Sequence, residues 1–283
     1  MTKRAKTDFY PAAMTIAGSD SGGGAGIAAD LRTFNAFGVF GTCAITAVTS
    51  QNPSAVRRID PLPGEAVAAQ IDAVLEKIPV KFCKTGMLFS AENIRAAADA
   101  VRRHHLKLIC DPVMVSTSRS RLLRDDAIDA MTGELLPLAA WITPNIPEAE
   151  LLTGRSISSV HEMLDAAMAL HERFSCAVML KGGHLAGSEA WDVIVREGRS
   201  YTLTAPLLEI PLLAAHGTGC TLSAALTAMM ALAVPWKQAV CESKAFVYGS
   251  LAQRVTLGPD TQAMYPPSED SIQLVKLAEA EAE

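Results

Sequence analysis

The sequence of 283 residues lacks the two glycine-rich signatures that most often mark nucleotide sites. No G-x-G-x-x-G segment occurs in it, and because it has no Gly-Lys dipeptide, the motif G-x-x-x-x-G-K-[ST] is missing too. The first absence argues against a nicotinamide-dependent oxidoreductase. Any nucleotide must therefore be bound by a different arrangement of residues.

The sequence also lacks paired cysteines. Its six cysteines form no C-x-x-C pair and do not cluster with histidines, which excludes a disulfide framework and a zinc site. Most of them stand in apolar runs, where a free cysteine behaves as a small hydrophobic residue. We expect reduced thiols and a cytoplasmic protein. The cysteines are Cys43, Cys83, Cys110, Cys176, Cys220 and Cys241.

An excess of positive charge is missing as well. There are 25 Lys and Arg against 30 Asp and Glu, so the net charge is −5, and the basic residues are scattered. This argues against a nucleic-acid binder and a polybasic membrane anchor. The first residues are basic, but the apolar stretch after them is short and ends at Asp20, which does not fit a secretory signal. Residues 217–236 carry no charge, but their Ala-rich composition with Thr and Ser favours a buried helix over a membrane span.

What the sequence does contain is an alternation of short apolar runs with longer helical patterns. This predicts an α/β fold with a mainly parallel sheet covered on both faces, in one domain over residues 1–283. We expect the first ten or so residues and the tail after Gly258 to be loosely held. Predicted strands cover 12–17, 43–49, 80–84, 106–110, 141–143 and 177–180, with a hairpin at 191–195 and 201–205. Predicted helices cover 24–37, 64–78, 91–104, 125–136, 147–152, 159–174, 218–232 and 235–255.

In parallel sheets ligands bind at the carboxyl ends of the strands, so the residues that follow each predicted strand are the informative ones. Five glycines in residues 18–26 let the backbone approach a ligand, or simply make a tight turn. Asp30, in the next helix, either faces solvent or points to a pocket between its apolar neighbours. Residues 49–52, which include Gln51, suit a neutral heteroaromatic ring or cap a turn.

Later strand ends carry charge. Asp111 follows the fourth predicted strand, and Asn145 and Glu148 follow the fifth. Such oxygen ligands hold Mg²⁺ together with waters and phosphates, although Asn145 and Glu148 could equally be an N-cap and a first-turn acid. Lys181, followed by two glycines, can reach a phosphate as a mobile charge, while His184 is more simply a hydrogen-bond partner.

The strongest signal is the segment His216-Gly217-Thr218-Gly219-Cys220 before a long uncharged helix. Glycines at a helix start expose unpaired N–H groups, and the helix dipole adds positive charge there. This predicts an anion site suited to a phosphoryl group in transfer. Cys220 stands in the first turn, where we expect a lowered thiol pKa; the alternative is a small buried residue near a cap.

Seven segments together resemble the hydroxymethylpyrimidine/phosphomethylpyrimidine kinase family. In order, they are AGSDSGGGAGIAADLRTF, TAVTSQNPS, KTGML, DPVMV, TPNIPEAELLTG, VMLKGGHL and HGTGCTLSAAL, between about Met14 and about Leu232. The resemblance implies a ribokinase-like three-layer α/β/α sandwich and a homodimer. It implies that ATP and Mg²⁺ are used to phosphorylate 4-amino-5-hydroxymethyl-2-methylpyrimidine to its monophosphate and then to the pyrophosphate, in thiamine biosynthesis.

The resemblance also implies site residues. The positions matching the pyrimidine pocket are Gly18, Asp30, Gln51, Met87 and Val113. Those matching the ATP and phosphate side are Asn145, Lys181, Thr218 and Gly219, and those matching the metal side are Asp111 and Glu148. The positions implied as catalytic are Lys181, Gly217, Gly219 and Cys220, the last standing where sugar-kinase relatives keep an Asp base.

Two segments depart from the family. Residues 116–119 replace a glycine of the expected lid, and the C-terminal stretch lacks the usual Gly-His-Gly-Pro-type ending. Two alternatives stay open. A pyridoxine or pyridoxal kinase acts on a hydroxymethyl group of a nitrogen ring too, although Cys220 favours the pyrimidine. A non-catalytic pyrimidine sensor would not need Lys181, Asn145, Glu148 and the glycines.

Overall fold

One nine-stranded sheet organises the protein in the computed structural model, which describes residues 9–114, 125–183, 185 and 187–280. The strands are β1 Ala12–Ala17, β2 Phe40–Ile45, β3 Ala47–Asn52, β4 Ala55–Pro61, β5 Phe82–Thr85, β6 Lys107–Cys110, β7 Ala139–Ile142, β8 Ala177–Gly182, β9 Glu189–Arg196, β10 Arg199–Pro206, β11 Val255–Gly258, β12 Thr261–Ala263 and β13 Lys276–Glu279. The main sheet has the order β13-β10-β9-β8-β7-β6-β5-β1-β2. Strands from β2 to β8 in that order are parallel, and β9, β10 and β13 continue it antiparallel.

Helices cover both faces of this sheet. They are α1 Gly26–Ala36, α2 Gly64–Leu75, α3 Ala91–Arg103, α4 Asp125–Ala130, α5 Ile146–Thr153, α6 Val160–Phe174, α7 Thr218–Ala231 and α8 Trp236–Ala252. Apolar side chains of α2, α3 and α6 pack in one large cluster on one face, while those of α1, α7 and α8 pack in clusters on the other. The predicted α/β/α layering is confirmed.

The apolar strand runs are long because the central strands are buried on both faces. In β6, Leu108 and Cys110 belong to the cluster with α2 and α3, whereas Ile109 between them belongs to the cluster with α7. Successive side chains of a strand point to opposite faces, so both parities must be apolar when both faces are covered. The strand ends are where polar residues can appear.

The strand predicted at 43–49 is divided in two, and this part of the prediction is wrong. β2 ends at Ile45 in the main sheet, and β3 starts at Ala47 and pairs with β4 in a separate antiparallel ribbon. β4 has no clear signal in the sequence, because its residues are mostly exposed on both sides and show no alternation of apolar and polar residues. The ribbon brings Gln51 back towards the glycine-rich loop.

The C-terminal tail also differs from expectation. β13 pairs with β10 in antiparallel register, so this part of the tail is an edge strand of the main sheet. Only the first half of the helix predicted at 125–136 is α-helical, as α4. The chain then forms a π-helical turn, Met131–Leu135, and a short 3₁₀ turn, Leu136–Leu138. Pro137 in that last turn lacks the N–H that a continued α-helix requires.

The uncharged segment 217–236 forms α7 and the start of α8, which are separated by a turn. Within the described part of the chain, no helix has the length and apolar character needed to cross a membrane.

Candidate functional site

The glycine-rich loop after β1 is shaped by Asp20. The Asp20 Oδ1 accepts from the Gly22 N–H at 2.8 Å, and Oδ2 accepts from the N–H groups of Gly24 and Ala25 at 3.1 and 2.8 Å. Burial alone raises the pKa of Asp20, but the hydrogen bonds from His216 and from the backbone outweigh it and lower the pKa. The carboxylate is therefore ionised, and it holds the loop in one conformation.

The loop meets the start of α7 at Gly217. This glycine has φ +86°, and a Cβ added to it would collide with the carbonyl oxygen of Gly24. Both the left-handed backbone and the close approach require glycine. Helix geometry leaves the first N–H groups of α7, those of Thr218, Gly219 and Cys220, without intrahelical acceptors. The predicted anion site therefore lies where the loop and the helix converge.

Lys181 and Asp111 form an ion pair beside this helix start. Lys181 Nζ lies 2.8 Å from Asp111 Oδ1, and a Cβ added to Gly219 would lie 3.2 Å from that Nζ and 3.5 Å from Asp111 Oδ2. Burial alone would lower the pKa of Lys181, but the carboxylates of Asp111 and Glu148 outweigh it and raise the pKa. A permanent cation therefore lies against the first turn of α7.

Asn145 and Glu148 form the helix cap that was one of the two interpretations. Asn145 Oδ1 accepts from the Glu148 N–H, and Glu148 Oε2 accepts from the Asn145 N–H, both at 2.9 Å. The backbones of Asn145 and Lys181 also form an isolated parallel β-bridge, which places this cap beside the ion pair. Burial raises the pKa of Glu148 to about 8, with the Lys181 cation lowering it and the Asp111 charge raising it.

These carboxylates are the predicted metal ligands. Among the residues that the structure describes, no group of three or more His, Cys, Asp or Glu side chains is placed to hold a metal ion. Asp111 and Glu148 nevertheless interact electrostatically across the site. Mg²⁺ in phosphoryl-transfer enzymes takes one or two carboxylates and completes its shell with phosphate oxygens and waters. The pair fits such a site and does not fit an all-protein metal cage.

Asp30 differs from its predicted place on a pocket wall. Its side chain is fully buried, with Oδ1 at 2.8 Å from Lys84 Nζ and Oδ2 accepting from Thr15 Oγ1 at 2.6 Å. Both carboxylate oxygens are therefore engaged in the interior, and a ring amino group could reach Asp30 only if Lys84 or Thr15 gave way. Lys84 is not among the residues predicted from the sequence, although a lysine inside an apolar strand is itself a signal.

The expectation of a lowered pKa for Cys220 is wrong. Burial raises its pKa to about 11, even though the Lys84 cation and the N–H of Gly26 act in the opposite direction. The negative charge of Asp30 adds to the increase. At neutral pH Cys220 therefore carries its proton in this structure. The helix start alone does not produce a thiolate.

Two of the predicted ring-binding residues, Met87 and Gln51, contact the glycine-rich loop. Gly18 donates its N–H to the Met87 carbonyl at 3.1 Å, and a Cβ added to Gly18 would lie 2.5 Å from Met87 Cε. Met87 and Val113 keep part of their surface exposed. Gln51 is tied to the loop through Ser21, whose hydroxyl exchanges hydrogen bonds of 2.7 Å with the Gln51 backbone N–H and C=O.

His216 opens the motif before α7, and the sequence alone predicts no role for it. Its Nε2 lies 3.0 Å from both Asp20 Oδ2 and Gln51 Nε2. It therefore connects the loop, the ribbon and the start of α7. His184 and the lid expected at residues 116–119 lie outside the described residues.

Comparisons with known proteins agree on one family. A family model described as Phosphomethylpyrimidine kinase matches residues 20–265. A hydroxymethylpyrimidine/phosphomethylpyrimidine kinase of Rhizobium meliloti is 47% identical over 249 residues, covering 87% of this chain and 93% of the relative.

Two solved structures are similar as well. The pyridoxal kinase from Staphylococcus aureus in complex with AMP-PCP has a TM-score of 0.86 at 30% identity, covering 96% of this chain and all of that one. A phosphomethylpyrimidine kinase from Clostridium difficile has a TM-score of 0.74 at 39% identity, with 84% and 97% of the two chains covered.

Proposed function

Because this chain belongs to the phosphomethylpyrimidine kinase family, we propose that it phosphorylates 4-amino-5-hydroxymethyl-2-methylpyrimidine with ATP, and then phosphorylates the monophosphate to the pyrophosphate, in thiamine biosynthesis. The ribokinase-like fold expected of such an enzyme is confirmed by the likeness to the two solved kinases. The observation that carries the proposal is the Lys181–Asp111 pair held against Gly219 at the start of α7. A cation and free helix N–H groups meet there, which suits a migrating phosphoryl group.

The pyrimidine side is formed by Gly18, Met87, Val113 and Gln51. Gly18 and Met87 are in contact, so a larger residue at position 18 would push Met87 out of its place beside the ring. Gln51 offers an acceptor and a donor to the edge of the ring. Asp30 is held in the interior by Lys84 and Thr15 and does not touch the ring.

In the transfer step the hydroxymethyl oxygen attacks the γ-phosphorus of ATP. The new O–P bond forms while the bond from the γ-phosphorus to the bridging oxygen breaks, and ADP leaves with that oxygen. Lys181 and the N–H groups of Thr218 and Gly219 stabilise the charge on the equatorial oxygens. Asn145, bridged to Lys181, borders the triphosphate.

Cys220 orients the attacking hydroxyl by accepting its hydrogen bond, because a thiol with a pKa of about 11 is not a general base at neutral pH. Phosphoryl transfer proceeds through a loose transition state, so the hydroxyl proton leaves late, as the new bond is completed, and passes to an oxygen of the transferred phosphate and from there to water. Gly217 keeps the loop close to the helix start so that no side chain occupies the path of the phosphoryl group.

Mg²⁺ supplies charge neutralisation and orientation of the phosphates when it is bound. Asp111 would hold it, with Glu148 acting on the same site and the phosphates and waters completing the shell. In this structure Asp111 pairs with Lys181. A cation on the Asp111 carboxylate would take the place of the lysine, which could then turn to the phosphates.

The test measures ADP formation with the pyrimidine alcohol and its monophosphate, with Mg²⁺ and with a chelator. We expect Cys220→Ala to lower turnover by up to about tenfold, the effect of one lost hydrogen bond, at nearly unchanged ring affinity, and Gln51→Ala to weaken ring binding. Cys220→Ser is the matched control, since its hydroxyl restores the hydrogen bond and part of the turnover. Normal turnover of Cys220→Ala would remove this residue from the reaction.

Pyridoxal phosphorylation is a second candidate activity. The observation in its favour is the TM-score of 0.86 to a pyridoxal kinase, although the identity to the pyrimidine kinase from Rhizobium meliloti is higher, at 47% against 30%. Both rings should therefore be assayed. We expect the pyrimidine to have the higher kcat/KM.

We also propose that the protein is a cytoplasmic homodimer. The hairpin β9–β10 is covered at its outer edge by β13 and offers no free strand edge for the contact. β2 stands at the opposite edge of the sheet, and its Phe40 is exposed. Sedimentation of the wild type and of Phe40→Glu tests this, since the charge should shift a β2-mediated dimer to monomer.

A further inference from the structure

Three side chains from distant parts of the sequence meet beside the proposed ring site. His216 Nε2 lies 3.0 Å from Asp20 Oδ2 in the glycine-rich loop and 3.0 Å from the Gln51 amide in β3. The Asp20 side chain is 2% exposed and that of His216 is 26% exposed. One ring nitrogen thus faces two polar groups, and it has a single position for either a proton or a lone pair.

The contact with Asp20 determines whether His216 Nε2 carries a proton or a lone pair. Its carboxylate already accepts three backbone N–H groups and is ionised, so it has only lone pairs to offer. A bare Nε2 would place its lone pair against a negative oxygen in a mostly buried site. Nε2 must therefore be protonated and donate to Asp20 Oδ2, whether the histidine ring is neutral or cationic.

This protonation determines the direction of the Gln51 amide. An Nε2–H of His216 cannot face an amide NH₂ group, because both would be donors. The two ends of an amide have nearly the same shape, so the direction follows from the hydrogen bonds around it. The consistent direction puts Gln51 Oε1 at His216, where it shares the Nε2–H with Asp20, and turns the NH₂ group away.

Thr49 supplies an independent check on the other end of the amide. Thr49 Oγ1 donates its only proton to the Ser19 carbonyl at 2.9 Å, so it has none for a second acceptor. Its distance to the other end of the Gln51 amide is 3.4 Å. A lone pair of Thr49 Oγ1 therefore faces that end, which suits the NH₂ group. Both neighbours of Gln51 select the same direction.

We propose that His216, anchored by Asp20, is a positioning residue that fixes the direction of the Gln51 amide and thereby selects rings with an amino group next to a ring nitrogen. The inference rests on the proposed function. In this direction Oε1 keeps a lone pair for the amino group and the NH₂ keeps a hydrogen for the ring nitrogen. Since the hydroxymethyl group has to face the start of α7, the ring cannot turn over to match a reversed amide.

The test compares His216→Gln with His216→Met, whose side chains are of similar length but of which only the first donates a hydrogen bond. Calorimetry without ATP measures affinity for 4-amino-5-hydroxymethyl-2-methylpyrimidine and for the same ring without its amino group. We expect the wild type and His216→Gln to prefer the amino ring by about tenfold or more, and His216→Met to lose most of that preference. Equal weakening of both rings in His216→Met would show a merely structural role and overturn the proposal.

A second measurement needs no ligand. Long-range ¹H–¹⁵N correlation on protein labelled with ¹⁵N-histidine reports which ring nitrogen of His216 carries a proton. A protonated Nε2 supports the proposal, and a bare Nε2 overturns it. If the wild type binds neither ring, the proposed function fails, and the spectrum of His216 still decides whether the Gln51 amide is directed as inferred.

Discussion

Two lysine–aspartate pairs lie near the carboxyl edge of the sheet with the same 2.8 Å separation, yet their surroundings differ. The side chains of Lys84 and Asp30 are 0% exposed, whereas those of Lys181 and Asp111 are 16% and 3% exposed. The first pair is closed in by α1 and by Thr15. The second borders Gly219, where the missing side chain leaves room. The same chemical pair is therefore a fixed interior element in one place and a group with access to a ligand in the other.

The difference shows what access does to an ion pair. A fully buried pair can change partners only at a large desolvation penalty, so Lys84 and Asp30 stay bound to each other. The Lys181 side chain is 16% exposed, so in the proposed reaction it can exchange Asp111 for a phosphate at a smaller penalty. The comparison therefore assigns stability to the first pair and chemistry to the second, and variants of each should separate these properties.

The largest effect is expected from Lys84→Met. Removing one partner leaves the buried Asp30 charge uncompensated, which costs about 3–5 kcal/mol of unfolding free energy. The double variant Lys84→Met with Asp30→Asn should recover most of that loss, since Asn keeps an acceptor for Thr15 without the charge. Urea denaturation of the four members of this cycle measures it.

Arg58→Met, in the exposed Arg58–Asp60 pair, is the control and should leave the midpoint unchanged. A double variant as unstable as Lys84→Met would show that the Asp30 charge is not the source of the loss.

The next largest effect is expected from Lys181→Met, and it should appear in turnover. Losing one preorganised donor at a developing charge lowers kcat by about 10² to 10³-fold. Unfolding free energy should change less than in Lys84→Met, because solvent reaches this site. Coupled ADP-release kinetics measure kcat, with the exposed Lys107→Met as control. A kcat within a few-fold of the wild type would mean that the Lys181–Asp111 pair, like the Lys84–Asp30 pair, only stabilises the fold.

A smaller effect concerns pH and the carboxylate beside the second pair. Burial raises the pKa of Glu148 to about 8 from an ordinary 4.5, so the folded state binds this proton more tightly than the unfolded state. Glu148 therefore favours folding at low pH, and this contribution is lost as pH rises from 4.5 through about 8. The slope is at most about 1.4 kcal/mol per pH unit.

Urea denaturation of the wild type and Glu148→Gln between pH 5 and 8, in metal-free buffer, isolates this contribution. The wild type should lose stability relative to Glu148→Gln across that range. Parallel pH dependences of the two proteins would mean that Glu148 titrates in its ordinary range.

The sequence singled out both members of the second pair as site residues, although not as a pair, and only one member of the first, for a physical reason. Asp111 follows β6, Lys181 is the second-last residue of β8, and Gly219 lies in the first turn of α7; parallel strands bring such positions to one edge. Asp30 and Lys84 lie inside elements, so their partners depend on which faces of α1 and β5 meet. The spacing of residues along the chain does not contain that information.

Other differences have the same origin. A single apolar run predicts one strand at 43–49, but the chain leaves the sheet at Thr46, whose N–H bonds to Ala17 O and whose C=O accepts from Leu62. The edge strand β13 depends on long-range pairing with β10. Local patterns identify elements reliably when both faces are buried, and fail where a distant partner decides.

The smallest effect concerns the pKa of Cys220, for which the sequence and the structure give opposite directions. The helix start predicts a reactive Cys220, while the structure raises its pKa to about 11 because burial and the Asp30 charge outweigh the nearby Lys84. At pH 7.5 we expect iodoacetamide to modify Cys220 no faster than Cys43 and Cys241, whose thiol pKa values burial also raises. Mass spectrometry of the modified peptides gives the three rates.

The Cys220 rate should rise about tenfold per pH unit up to pH 9, because the thiolate fraction is still small there. A plateau of the rate below pH 8 would mean that the Lys84 cation and the helix start lower the pKa of Cys220 more than burial raises it. Lys84 would then take part in the reaction as well as in stability.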